Sequence, residues 1–145
     1  MPLMKAAVLY SPGKIRVEEV EAPTPGPGEA VVRVRAVGVC PTDLRKYVGL
    51  IRPPTPIILG HEVSGEIVDI RDEGHGLRRG DRVVINPFIY CYKCRYCRLG
   101  RYNLCLNLGG IGGVAEHGRR LDGAFAEYVK APVKNLYRVN PAVPF

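Results

Sequence analysis

No run of apolar residues in this sequence approaches the ~18–20 needed to cross a membrane, so the chain reads as soluble, with no membrane partner. Nor is there a signal-peptide core. Met1-Pro2-Leu3-Met4-Lys5 leads only into the short stretch Ala6–Tyr10 with no cleavage site behind it, and a cytoplasmic protein is expected. No basic run of five or more occurs; the net charge of +7, from 21 Lys and Arg against 14 Asp and Glu, therefore permits a polyanion partner without requiring one. Internal repeats are missing, and no segment supports a helix longer than two or three turns. Disorder is excluded as well, because 46% of residues are hydrophobic and only 24% charged. A chain of 145 residues is one domain's worth and long enough to bury a real core.

Glycine and proline are abundant instead, 17 and 13 of them, or 30 of the 145 residues. They are scattered as punctuation, which favours many short strands joined by turns. Lys5–Tyr10 and Ile15–Glu19 read as strands around the turn Ser11-Pro12-Gly13. Ala22–Gly28 carries too much proline to be anything but a loop. From Glu29 to Val39 the residues alternate, with Val32, Val34 and Ala36 on one face and Arg33 and Arg35 on the other, as in a half-buried strand. Pro41 opens a single helical turn through Arg45. Further strands are expected at Val63–Ile70, Arg82–Ile85, Ala124–Val129 and Leu136–Val139, with Gly65 marking a bulge or a close backbone approach. Asn107–Gly118 reads as a loose segment. The expected fold is mostly β, with few short helices and one metal-organised lobe at about residues 90–106.

That lobe rests on cysteine arithmetic. Four of the five cysteines, Cys91, Cys94, Cys97 and Cys105, are spaced C-x2-C-x2-C-x7-C. Four thiolates within so short a stretch can close a tetrahedron around zinc, with Zn–S distances of ~2.3 Å. A closed shell of this kind is structural and supplies folding free energy to a lobe poor in core residues. Two disulfides, free thiols and an iron–sulfur cluster are the alternatives. A reducing compartment disfavours the first, and a fourth cysteine at x7 rather than x3 fits the last poorly. Tyr90, Tyr92, Lys93, Arg95, Tyr96, Arg98 and Arg101 interleave aromatic and basic side chains, as a nucleic-acid-binding zinc module would, but no recognition helix accompanies them. Cys40 and His61 each have a bland explanation alone, as a small buried hydrophobe and a hydrogen-bonded ring. Together they are two of the ligand types that open catalytic zinc sites use.

At this point the sequence resembles the medium-chain, zinc-dependent alcohol dehydrogenase family. The matching residues are Gly38-Val39-Cys40-Pro41-Thr42-Asp43-Leu44, Gly60-His61-Glu62-Val63-Ser64-Gly65, Gly80-Asp81-Arg82-Val83, the four lobe cysteines and Gly123-Ala124-Phe125-Ala126-Glu127-Tyr128-Val129. They cover nearly the whole chain in order. The resemblance implies a GroES-like barrel over residues 1–145, with Cys40 and His61 holding a catalytic zinc. It implies that Thr42 hydrogen-bonds the substrate oxygen, that Asp43 orients His61 and that Glu62 serves as an alternative zinc ligand. The implied reaction is oxidation of a small alcohol to an aldehyde or ketone, with hydride passing to NAD or NADP.

Several positions depart from the family pattern. Arg45 stands where many members carry a relay histidine, and arginine is a poor proton shuttle. Arg71-Asp72 replaces a glycine-rich turn, and Leu108–Leu121 is longer than usual. Gly110–Ala115 formally fits G-x-G-x-x-A, but no strand precedes it and no βαβ unit surrounds it, so it is rejected as a dinucleotide fingerprint. No residue is therefore assigned to nicotinamide binding, and a Rossmann domain is not expected within these residues. The leading expectation is a catalytic domain that is inactive alone and needs a separate cofactor-binding domain. The alternatives are a stand-alone zinc module completed by a partner chain or by self-association and, further back, a nucleic-acid-binding zinc protein.

Overall fold

In the computed structural model, which describes residues 2–71, 75–115 and 119–145, the first hairpin forms where turn chemistry demands it. Pro12 and Gly13 join β1 (Leu3–Ser11) to β2 (Lys14–Glu21), and Gly13 takes φ +75, a conformation open to glycine at no steric cost. The chain then runs through β3 (Glu29–Gly38), α1 (Pro41–Tyr47), β4 (Ile57–Ile58), β5 (Glu62–Arg71), β6 (Arg82–Ile85) and β7 (Phe88–Ile89). The lobe contains α2 (Arg95–Arg98) and one turn of 3-10 helix, Tyr102–Leu104. It is followed by β8 (Gly109–Ile111), β9 (Arg120–Leu121), β10 (Tyr128–Pro132) and β11 (Leu136–Arg138). The described residues are thus mostly β, with two short α-helices. Among the described residues no helix is long and apolar enough to cross a membrane.

The strands form three sheets, ordered β2-β1-β4, β10-β3-β5-β6-β11 and β7-β8-β9. Alternate residues of the five-stranded sheet, among them Val32, Ile67, Val83 and Ala131, build the main core. A smaller core under β1 gathers Met4, Ala6, Val8 and Ile58. The antiparallel β3–β5 ladder brings Gly38 opposite Glu62, so the ends that carry Cys40 and His61 emerge side by side.

Three sequence expectations are corrected in detail. Ala36 is exposed, not buried with Val32 and Val34, because the β3–β5 register shifts between Val34 and Ala36 and turns Val37 inward instead. Gly65 lies at that irregularity, where a Cβ would run into the Arg33 carbonyl oxygen, so the bulge and the close approach are one feature. The closing strand runs Tyr128–Pro132, later than Ala124–Val129. The earlier residues cross between sheets, with Phe125 N–H donating to Leu59 O at 2.9 Å and Ala7 N–H to Phe125 O at 2.8 Å. Finally, the stretch read as loose holds β8, which pairs with β7 and β9. Asp72, half of the departure at Arg71-Asp72, lies outside the described residues, as do Glu116–Gly118 at the end of that stretch.

Glu29 fastens the proline-rich loop to the sheet. Its buried carboxylate accepts the Gly26 N–H at 2.7 Å, pairs with Arg119 and lies 3.5 Å from Lys130 Nζ. Burial by itself would raise its pKa, but the Gly26 N–H and the two cations outweigh burial and lower it. Its contribution to stability is therefore present above the ordinary carboxylate range and lost as pH falls through the lower folded value. Glu29→Gln is expected to cost about 1–3 kcal/mol at pH 7, with the deficit shrinking below about pH 4. Urea unfolding of both proteins across pH measures it, and a pH-independent deficit would contradict the assignment.

Candidate metal centres

The first centre starts from a helix N-terminus. Pro41 occupies the first position of α1, where its missing N–H costs nothing, and Cys40 caps it in extended conformation. The carboxylate of Asp43, three residues on, accepts the Cys40 N–H at 3.1 Å and, through its other oxygen, the Gly60 N–H at 3.4 Å. It also lies 3.4 Å from His61 Nδ1, close enough for charge interaction but not aligned as a hydrogen bond. One carboxylate thus ties the helix to the turn entering β5. Gly60 makes that turn at φ +89, where a Cβ would come within 2.9 Å of Phe125 N.

Cys40, His61 and Glu62 offer ligand atoms that all lie within 4.8 Å of one another. His61 and Asp43 are buried, Cys40 is half-buried and Glu62 is exposed. The Thr42 hydroxyl is the main influence holding the Cys40 thiol below its ordinary pKa, aided by His61 and opposed by burial and by Glu62. Asp43 chiefly raises the pKa of His61, against burial. Burial would lift Asp43 too, but His61 and the two backbone N–H groups prevail and lower it. A cavity of about 420 Å3 opens beside the cluster, lined by Thr42, His61, Glu62, Ile85, Pro87, Phe88 and Val114. Arg45 points away into solvent, one turn from Pro41. Sequence reasoning missed the wall residues Ile85, Pro87, Phe88 and Val114 and the fully buried Lys46. The available signal for Lys46 was its i+3 spacing from Asp43, which places both on the inner face of α1.

The second centre is local. Cys94 caps α2 and accepts the Cys97 N–H at 3.5 Å, and Cys105 accepts the Cys91 N–H at 3.4 Å. All four sulfurs lie within 4.8 Å of one another, with Cys91 and Cys97 at 3.9 Å. A zinc ion bound by four thiolates at ~2.3 Å requires sulfur–sulfur edges of about 3.8 Å; the Cys91–Cys97 edge already has that length, and the other sulfurs lie within an ångström or so of it. None of the four forms a disulfide. N–H groups, that of Lys93 foremost, pull the Cys91 thiol down to about 6, while burial is the main cause that pushes Cys97 up to about 12.

Comparison with known proteins sets both centres in context. Residues 26–141 match the family described as the alcohol dehydrogenase GroES-like domain. An erythritol/L-threitol dehydrogenase of Mycolicibacterium smegmatis is 38% identical over 97% of this chain and 42% of its own length. An L-threonine 3-dehydrogenase of Pyrococcus horikoshii is 39% identical over 87% of this chain and 36% of its own. Among solved structures, galactitol-1-phosphate dehydrogenase from Escherichia coli superposes with a TM-score of 0.87 at 33% identity, covering 97% of this chain and 39% of that one. A Sinorhizobium meliloti protein solved with NADP bound superposes at 0.88 with 38% identity, covering 99% and 40%. The chain therefore spans about 40% of the length of these relatives.

The unequal lobe thiols give a direct test of the geometry. In metal-free protein at pH 7, iodoacetamide is expected to modify Cys91 first and Cys97 last, as read by peptide mass spectrometry. Indistinguishable rates at the two sites would refute that order.

Proposed function

Because the chain belongs to the zinc-dependent alcohol dehydrogenase family, we propose that it supplies the metal-binding catalytic domain of an enzyme that oxidises small alcohols. The observation that carries this reading is the convergence of Cys40, His61 and Glu62 beside a cavity that Thr42 also lines. The donor set, one thiol, one imidazole and one carboxylate, suits zinc. His61 Nδ1 is buried with no hydrogen bond of its own and faces Asp43, which leaves Nε2 as the nitrogen to hold the ion. Zinc bound there supplies Lewis acidity, which makes the hydroxyl proton of an alcohol easier to lose.

The remaining work falls to side chains. Asp43 fixes the ring of His61 and, through the Cys40 N–H, the position of the thiolate. Thr42 borders the cavity from the first turn of α1, where its hydroxyl can take the proton of a substrate alcohol and pass it toward solvent. Ile85, Phe88 and Val114 supply an apolar wall that keeps water from the carbon that loses hydride. Hydride goes to a nicotinamide, NAD or NADP, brought by a separate domain; the described residues contain no βαβ unit to hold one. Val39, Leu44, Val48 and Leu50, in and around α1, are exposed apolar side chains, which supports this side of the chain being covered by further protein. The four-cysteine centre is closed and structural. Its only α-helix, the four-residue α2, is too short to serve as a recognition helix, which weighs against nucleic acid as the partner. The free thiols fit a reducing, cytoplasmic setting.

Metal analysis tests the reading. The chain is expected to bind two zinc ions, with Cys40→Ala or His61→Ala removing one and Cys97→Ser removing the other. By itself it is expected to show no alcohol oxidation with either nicotinamide. A wild-type stoichiometry of one that is unaffected by Cys40→Ala would sink the catalytic-zinc proposal, and turnover by the lone chain would overturn the need for a cofactor domain.

A further inference from the structure

Among the described residues Lys46 is the largest fully buried side chain, 1% exposed, and no part of the chemistry above uses it. An ammonium group is costly to bury unless it is anchored, so its presence in the interior calls for a physical return. Among the described residues its one hydrogen-bond acceptor is Gly112 O, at 2.9 Å and 66 positions away in sequence. Burial lowers its pKa, while the charges of Asp43 and Cys40 act to keep it protonated.

Gly112 is held tightly from other sides too. It sits at φ +61, its N–H donates to Leu121 O at 2.9 Å, and a Cβ there would come within 2.6 Å of Gly60 O. Gly60 in turn precedes His61. A Cβ on Gly113 would lie 3.6 Å from Lys46 Nζ, and the next residue, Val114, is a wall of the cavity. Three segments therefore meet at one ammonium group: α1 with Cys40, Thr42 and Asp43, the turn with Gly60 and His61, and the glycine turn that presents Val114.

We propose that Lys46 is a positioning residue of the metal pocket, pinning the Gly112–Gly113 turn against Gly60 so that Val114 stands fixed opposite Thr42, His61 and Glu62. A neutral side chain of the same length would fill the space without the directional bond, and the turn would be free to lift. The inference rests on reading Cys40, His61 and Glu62 as a metal pocket, but the clamp itself can be read without metal.

The experiment uses the 145-residue chain with cobalt(II) as the probe ion and the variants Lys46→Met and Lys46→Arg. In metal-free Lys46→Met, the Gly112 and Val114 amides are expected to exchange hydrogen about tenfold faster than in wild type. Cobalt at the Cys40–His61–Glu62 centre is expected to bind about tenfold more weakly with a shifted visible band, while the four-cysteine centre keeps its ion. Removing a nearby positive charge would by itself tighten a dication, so the sign of the change separates positioning from simple repulsion. Lys46→Arg, which retains cation and donors, is expected to restore both readouts. Unchanged exchange in Lys46→Met, or tighter cobalt binding, overturns the proposal. If Lys46→Met does not fold, the arginine variant decides through exchange alone, with wild-type protection in support and rapid exchange against. Should wild type take up no second cobalt, the metal reading fails, and hydrogen exchange still decides the clamp.

Discussion

The structure turns on a buried carboxylate that has three neighbours to serve. Asp43 receives the Cys40 N–H, receives the Gly60 N–H and faces His61 Nδ1, all from a position 3% exposed. Each contact would be of modest value in water. Together, out of water, they keep the group ionised and fix two otherwise independent segments relative to each other. The same local device recurs at two strand entries, those of β3 and β6. Glu29 accepts from Gly26 at 2.7 Å and Asp81 from Arg78 at 2.9 Å, each three residues upstream like Cys40 and Asp43. At these three loop ends a side-chain carboxylate satisfies a backbone N–H that no ladder bond reaches.

How much of this was legible in the sequence follows from how far apart the interacting residues lie. The four-cysteine centre was readable because its ligands fall within one short stretch and need only a tight turn and α2 to converge. Cys40 and His61 were readable as ligand types. Their meeting depends on the β3–β5 ladder, which sets Gly38 opposite Glu62, and only a resemblance to a known family pointed to it beforehand. Ala36 was misplaced because alternation carries no information about a register shift. The Gly110–Ala115 stretch looked loose because glycine has no periodicity to read, and its order comes from contacts with Lys46, Gly60 and Leu121 instead. A lysine beside an arginine on a short helix reads as solvated, and only its i+3 spacing from Asp43 indicates that Lys46 turns inward.

The two centres solve opposite problems with overlapping ligand chemistry. In the lobe, every donor is a thiol and backbone N–H groups of Cys91 and Cys97 point at sulfur, so an ion bound there would complete the fold and leave no open position. In the pocket, three donors of three kinds stand at the edge of a cavity, and Glu62 is exposed where the lobe's Cys97 and Cys105 are buried. Closure gives stability and openness gives reactivity. The pocket is correspondingly supported from behind, by Asp43 on His61 and by the packed glycine turns, because an open centre cannot rely on its ion to hold its shape.

The same contrast accounts for part of the charge. The formal +7 counts every cysteine as neutral. Four thiolates around one dication carry a net −2, which takes the loaded chain to about +5 before the pocket is considered. Lys93, Arg95, Arg98 and Arg101 lie in or beside the lobe, and Lys134 reaches it from beyond β10, with Nζ 4.0 Å from the ring centroid of Tyr92. Arg95 lies over Tyr96 in the same manner. Basic and aromatic residues interleaved in this way look, in sequence, like a surface for nucleic acid. Around a four-thiolate metal centre, which would carry a net −2, they would have a nearer use, since cations held on aromatic faces would offset that charge.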